Sequence, residues 1–181
     1  MSRAPFPFWR FSLRTYGAPG VAKACLALQD ACGADVNLML FCCWLGREGR
    51  RLDKRFLRQA QAAVSAWQGE VLQPLRRARH AVKQGIGAVP QEWTAHMRKG
   101  FAALELDADY AEQLILAELA ERVPRHAGTP NPQAAVAANL ACYVDSLGVA
   151  QNAAARRHCD ILLAACCAEK PARRSASRTT L

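Results

Sequence analysis

Eight consecutive apolar residues, Leu38 to Leu45, leave no polar stripe at either the helical or the strand period. A segment that is apolar on every side is stable only when neighbours cover every side, so the rest of the chain must be arranged around it. It is roughly half the length of about 20 residues that a bilayer-spanning helix needs, so it is a core element and not a membrane anchor. Asp35 just before it is a good N-cap and Gly46 just after it a good C′ residue, which together predict a short buried helix. Asn37 is the one polar side chain between the Asp35 cap and Gly46. It is expected to satisfy free backbone donors or to brace another helix, so Asp35 and Asn37 are candidate buried structural residues.

The remainder of the chain reads as helix as well. Ala, Leu, Gln and Arg dominate while Ile, Thr and Tyr are scarce, which favours helix over strand. With 181 residues and 51% hydrophobic content, the expectation is an all-α fold. In it, six to eight helices form a single-domain bundle over residues 8–169. Residues 1–7 are expected as a flexible lead-in and 170–181 as a basic, Ser/Thr-rich disordered tail.

A first helix over 8–16 is predicted to turn Trp9, Leu13 and Tyr16 inward and to stop at Gly17. A second, 20–32, is predicted to bury Val21, Cys25, Leu28 and Cys32. From Leu52 to about Gln84 apolar residues recur at three- and four-residue steps through Leu57, Val64, Trp67, Val71 and Leu75. Pro74 lacks the backbone donor that an unbroken helix needs, so this long helix is expected to kink. Gly85 to Pro90 reads as a hinge-like loop. Residues 90–123 are helical again, with Trp93, Met97, Phe101 and Leu104 on one face and a break expected at Asp107-Ala-Asp109, where either carboxylate can cap a new helix. After a turn-rich linker at 124–132, a helix over 133–147 carries Val136, Leu140 and Tyr143. A last one over 149–169 carries Ile161, Leu162 and Cys166.

Charge is strongly segregated. The overall formal charge is +9. Between Arg47 and Lys83 ten basic residues stand against three acidic ones, whereas residues 101–121 hold six carboxylates and no Lys or Arg. The two helices are expected to neutralise one another in part. The alternative is an exposed stripe of Arg76, Arg77, Arg79 and Lys83, the candidate partner-binding residues, whose forked and point charges suit carboxylates or phosphates.

Recognisable catalytic chemistry is absent from the residue spacing. The eight cysteines show no C-x2-C pair, and Cys25/Cys32 and Cys159/Cys166 are each two helical turns apart, too far for shared ligation. Cys42 and Cys43 sit in apolar surroundings that raise a thiol pKa. The four histidines fall on polar faces or in a loop. Gly85-Ile-Gly87 lacks the remaining glycines, the Lys and the preceding strand of a phosphate loop. No metal, cofactor or catalytic residue is assigned. With neither a secretory h-region nor a membrane-length run, the expected location is the cytoplasm, with reduced thiols.

Several motifs resemble a family. Phe8-Trp9-x-Phe11-Ser12-Leu13, Tyr16-x-x-Pro19-Gly20-Val21, Leu28-Gln29-Asp30 and Asp35-Val36-Asn37-Leu38-x-Leu40-Phe41-Cys42 are similar to those of an uncharacterised proteobacterial family of helical proteins. So are Trp67-x-x-Glu70-Val71-x-x-Pro74-Leu75-Arg76-x-x-Arg79 and Asn139-Leu140-x-x-Tyr143. The resemblance implies a bacterial cytoplasmic helical protein and brings no activity, cofactor or site residue with it. The function expected is therefore a non-enzymatic helical interaction module that binds a protein partner or itself. The alternatives are nucleic-acid association through residues 76–83 and the basic tail, and, more weakly, a small apolar ligand held by Trp9, Trp44 and Trp67.

Overall fold

The computed structural model describes residues 3–124, 131–148 and 153–168, and every regular element among them is helical. The expected tail at 170–181, and parts of the linker and of the last helix's start, lie outside the described residues. Helices α1 (Pro7–Tyr16), α2 (Val21–Cys32) and α3 (Val36–Arg47) follow one another through tight turns. The positive φ angles of Gly20 (80°) and Gly33 (66°) bracket α2, a conformation that side chains with a Cβ rarely adopt. Helices α4 (Lys54–Trp67) and α5 (Gln73–Gln84) are joined through a π-helical segment, Gln68–Leu72. Helices α6 (Gln91–Ala120), α7 (Pro132–Ser146) and α8 (Ala153–Cys167) complete the bundle.

Helix α3 is the buried element that its composition demands. Leu38, Met39, Leu40, Phe41, Cys42, Cys43 and Leu45 are all buried, covered by α1, α2, α6, α7 and α8. Asp35 caps it, its Oδ1 accepting the backbone N–H of Asn37 (2.7 Å) and Leu38 (3.2 Å). Gly46 is not the C′ residue. It lies inside the last turn of α3, and a Cβ there would sit 2.6 Å from the Val136 backbone, so the glycine lets α7 approach. The left-handed residue that ends this region is Gly49, at φ 71°. The loop that follows is pinned from α7 by Asn139, which accepts the Leu52 N–H (2.9 Å) and donates to the carbonyls of Arg50 (2.9 Å) and Cys42 (3.2 Å).

Pro74 acts on the chain as a local widening. A proline in a helix removes one N–H and crowds the carbonyl four residues earlier. Here the turn carrying that carbonyl, Glu70, is π-helical, and the Gln73 N–H bonds to the Gln68 carbonyl five residues back. The chain from 54 to 84 is one continuous path with its register shifted at this point.

Other expected features differ as well. Helix α6 runs unbroken through Asp107 and Asp109, because both carboxylates have partners elsewhere: Arg3 lies 2.7 Å from Asp107 and Arg76 3.2 Å from Asp109. A carboxylate held by a neighbouring cation has no reason to turn back onto its own backbone. On α1 the buried residues are Phe8, Trp9, Phe11, Ser12 and Thr15, while Leu13 and Tyr16 face outward. Phe8 decides this orientation. It stacks on Trp44 at 5.0 Å and meets Phe41 edge-on at 5.6 Å, anchoring the 8/11/12/15 face on α3.

Candidate functional site

Leu13 and Tyr16, turned away from the core, form part of one wall of a cleft of about 810 Å³. Helices α1 and α2 line one side of it, α5 and α6 the other, and Val36, Asn37 and Leu40 of α3 lie beneath. Trp9, Leu13, Leu26, Leu40 and Leu106 supply apolar lining, and Arg76, Arg77, Arg79, His80 and Lys83 bring one turn after another of α5 to the same cleft.

Below the cleft a buried polar network joins four elements. The Asn37 amide donates to Glu112 Oε2 (3.0 Å) and Asp109 Oδ1 (3.1 Å), while its oxygen accepts from Gln113 Nε2 (2.8 Å). Gln68 Nε2 donates to Glu112 Oε2 (2.7 Å) and also to Asp35 Oδ2. The Asp35 N–H donates to the Tyr143 hydroxyl at 2.7 Å. Asn37 is thus a brace between α3 and α6, and Asp35 is both a cap and the hub on which α7 and the π segment converge.

Two carboxyl groups in one dry site cannot both be charged cheaply. Burial and the neighbouring Asp35 push Glu112 from an ordinary 4.5 up to about 9, so Glu112 carries a proton at neutral pH and shares it with Asp35. Burial also raises Asp35, opposed by its hydrogen bonds to Glu112 and to two backbone amides and by Arg76. Burial raises Asp109 too, outweighing the Arg76 guanidinium and the Asn37 amide. The π segment takes part directly, since Gln68 is its first residue.

The four basic residues expected to act together separate into two pairs. Arg76 reaches Asp109 (3.2 Å) and Gln29 (3.5 Å), and Arg79 reaches Glu105 (2.5 Å), whose hydrogen bond raises the guanidinium pKa. Arg77 and Lys83 are exposed, and neither forms an ion pair among the described residues. Partial neutralisation of α5 by α6 is therefore what the packing shows. Of the three tryptophans expected around an apolar ligand, Trp9 lines the cleft. Trp44 stacks on Phe8, and Trp67 donates its indole N–H to the Ala108 carbonyl (3.0 Å).

Gln68, Glu105, Glu112 and Gln113 were invisible as a group in the sequence. The available signal was their position on otherwise inward faces: Glu112 is one turn from Ala108 and Leu116, both buried. A carboxylate at a core register implies a partner, and Asn37 is the polar residue at the matching place.

The family model described as protein of unknown function (DUF2390) matches residues 7–119, more than half of the chain. The chain belongs to that family. All of the cleft-lining residues, and Asp35, Asn37, Gln68 and Glu112 of the network, fall inside the DUF2390 match; Tyr143 and Asn139 on α7 fall outside it. No curated protein and no solved structure matches the chain.

Proposed function

We propose that this DUF2390 protein is a non-enzymatic helical interaction module, acting in the cytoplasm, that docks a helix of a protein partner or of a second copy on the first half of α6. The observation that supports this is the exposure of a face whose composition suits a core. Trp93, Met97 and Leu104 are 58%, 42% and 53% exposed, although their spacing is that of a buried stripe. With Gly100 they fall within about 60° of one another around the helix. Apart from its own helix backbone, no atom of the described residues lies within 4 Å of where a Gly100 side chain would begin. An uncovered mid-helix glycine costs about 1 kcal/mol against alanine. On an apolar seam it gives an incoming helix room to approach. Ile86 and Val89 extend the exposed apolar surface into the loop between α5 and α6.

Light scattering at rising concentration, combined with a photo-crosslinker placed at Thr94, tests this reading. The expected result is a mass above the 19.8 kDa monomer, or a crosslinked protein partner. Either should be lost in Trp93→Asp/Met97→Asp. A monomer with no crosslink, or a crosslink that survives the double substitution, sinks the reading.

A second reading, nucleic-acid association, is supported by exposed positive charges on α5 and α6. Arg77, Lys83, Arg98 and Lys99 are exposed on the two helices, and α6 also exposes Trp93; exposed cations and aromatic rings are the groups that single-stranded nucleic acid uses. It requires affinity that falls steeply with salt and is lost in Arg77→Glu/Lys83→Glu.

A further inference from the structure

We propose that the cleft between α1, α2, α5 and α6 is a binding site for a small organic acid with an apolar body and a hydrogen-bond donor at the end opposite its acidic group. The simplest members of that class are hydroxyaryl acids.

Size comes first. A cleft of about 810 Å³ lies within the range of roughly 300–1,000 Å³ typical of small-molecule sites. Its apolar lining includes Leu13, Leu26 and Leu106, all exposed although large and aliphatic. Covering them removes apolar surface from water, which favours a ligand with an apolar body.

Polarity then sets the two ends. Gln113 is 2% exposed; its amide nitrogen is committed to Asn37, and its Oε1 has no partner among the described residues. Ser12 is 3% exposed, and its Oγ has no partner among the described residues either. Both residues line the cleft. A buried acceptor left unmade is costly, so a ligand that brings a hydroxyl or N–H to Gln113 Oε1 is favoured over one that does not. Ser12, whose hydroxyl can both donate and accept, is a second polar group that a ligand can satisfy.

The outer end is set by α5. Arg77, His80 and Lys83 are exposed lining residues, and the two partly buried arginines next to them, Arg76 and Arg79, are already occupied by Asp109 and Glu105. Across from them α2 contributes one exposed carboxylate, Asp30. The unpaired charge on the α5 side is cationic, and an acid directed to that side meets Arg77 and Lys83 while avoiding Asp30.

The test uses three probes with the same ring and different ends: para-hydroxyphenylpropanoate, phenylpropanoate without the hydroxyl, and para-hydroxyphenylpropanol without the charge. Binding is read by calorimetry and by ligand-observed NMR on the full chain. The first probe should saturate in the millimolar range or below, with each of the others about tenfold weaker. In Arg77→Glu/Lys83→Glu, two exposed positions whose replacement leaves the core intact, the advantage of the carboxylate should vanish while that of the hydroxyl stays. In Gln113→Leu the reverse should hold. The proposal is overturned if the first probe shows no saturation up to about 10 mM. It also fails if the three probes bind alike to wild type, or if the charge preference survives in Arg77→Glu/Lys83→Glu. That last variant keeps the proposal falsifiable should Gln113→Leu unfold.

Discussion

Replacing Glu112 by glutamine should make the protein more stable, and increasingly so as the pH rises. In the native state Glu112 holds its proton up to about pH 9, because it is buried and faces Asp35; in the unfolded chain it ionises near 4.5. Above 4.5 the unfolded state therefore binds fewer protons than the native one, and stability must fall with rising pH. Each pH unit between the two values costs about 1.4 kcal/mol at this site, so the interval from pH 5 to pH 8 costs about 4 kcal/mol at the upper limit. Against a typical total of about 5–15 kcal/mol this is a large fraction. The glutamine side chain in Glu112→Gln has no proton to lose. Its amide oxygen can accept from Gln68 and Asn37 as Glu112 Oε2 does, and its NH2 can face the Asp35 carboxylate. Urea unfolding followed by tryptophan fluorescence at pH 5, 6.5 and 8 measures both proteins. Between pH 5 and pH 8 the variant should gain about 2 to 4 kcal/mol on wild type. Parallel pH dependences, or a variant that loses ground as the pH rises, would refute a protonated Glu112.

Other expectations follow from single contacts. Gly46→Ala and Gly100→Ala should have opposite signs. The first places a Cβ against the Val136 backbone and should cost about 2 kcal/mol or more, and the second fills open space and should gain about 1 kcal/mol in the monomer, both read by urea unfolding. Tyr143→Phe removes the acceptor of the Asp35 N–H and should destabilise by about 1 to 2 kcal/mol in the same assay. Asn139→Leu leaves the Leu52 N–H and the Arg50 carbonyl without their Asn139 partner, and hydrogen exchange at 50–52 should rise by at least about tenfold. Cys25, Cys42 and Cys43 are buried with thiols pushed upward, Cys25 to about 12, so thiol labelling of the native protein near pH 8 should leave these three unmodified until urea is added.

What local sequence determines about this protein is considerable. The run from Leu38 to Leu45 can exist only as a buried element, the punctuation at Gly17, Gly33 and Asp35 sets where helices stop and start, and helix propensity with three- and four-residue periodicity settles the all-α class. The facing of amphipathic helices was less legible. On α1 two apolar stripes compete, and the one including polar Ser12 and Thr15 is buried because Phe8 finds Phe41 and Trp44 across the interface. On α6 the stripe of Trp93, Met97 and Leu104 reads as core and lies outside it, with all three side chains exposed. Asp107 and Asp109 look like caps by their neighbours in sequence, and become partners of Arg3 and Arg76 by their neighbours in space. Most of the polar site belongs to this second kind of information. Asp35 is legible as a cap because its partners are two and three residues away. Its contact with Gln68 and the shared proton with Glu112 join positions 33 and 77 residues distant, and no local pattern encodes such a meeting. Periodicity specifies which side of a helix is apolar. Only tertiary packing decides what each side meets, because that depends on the contacts of all the other helices at once.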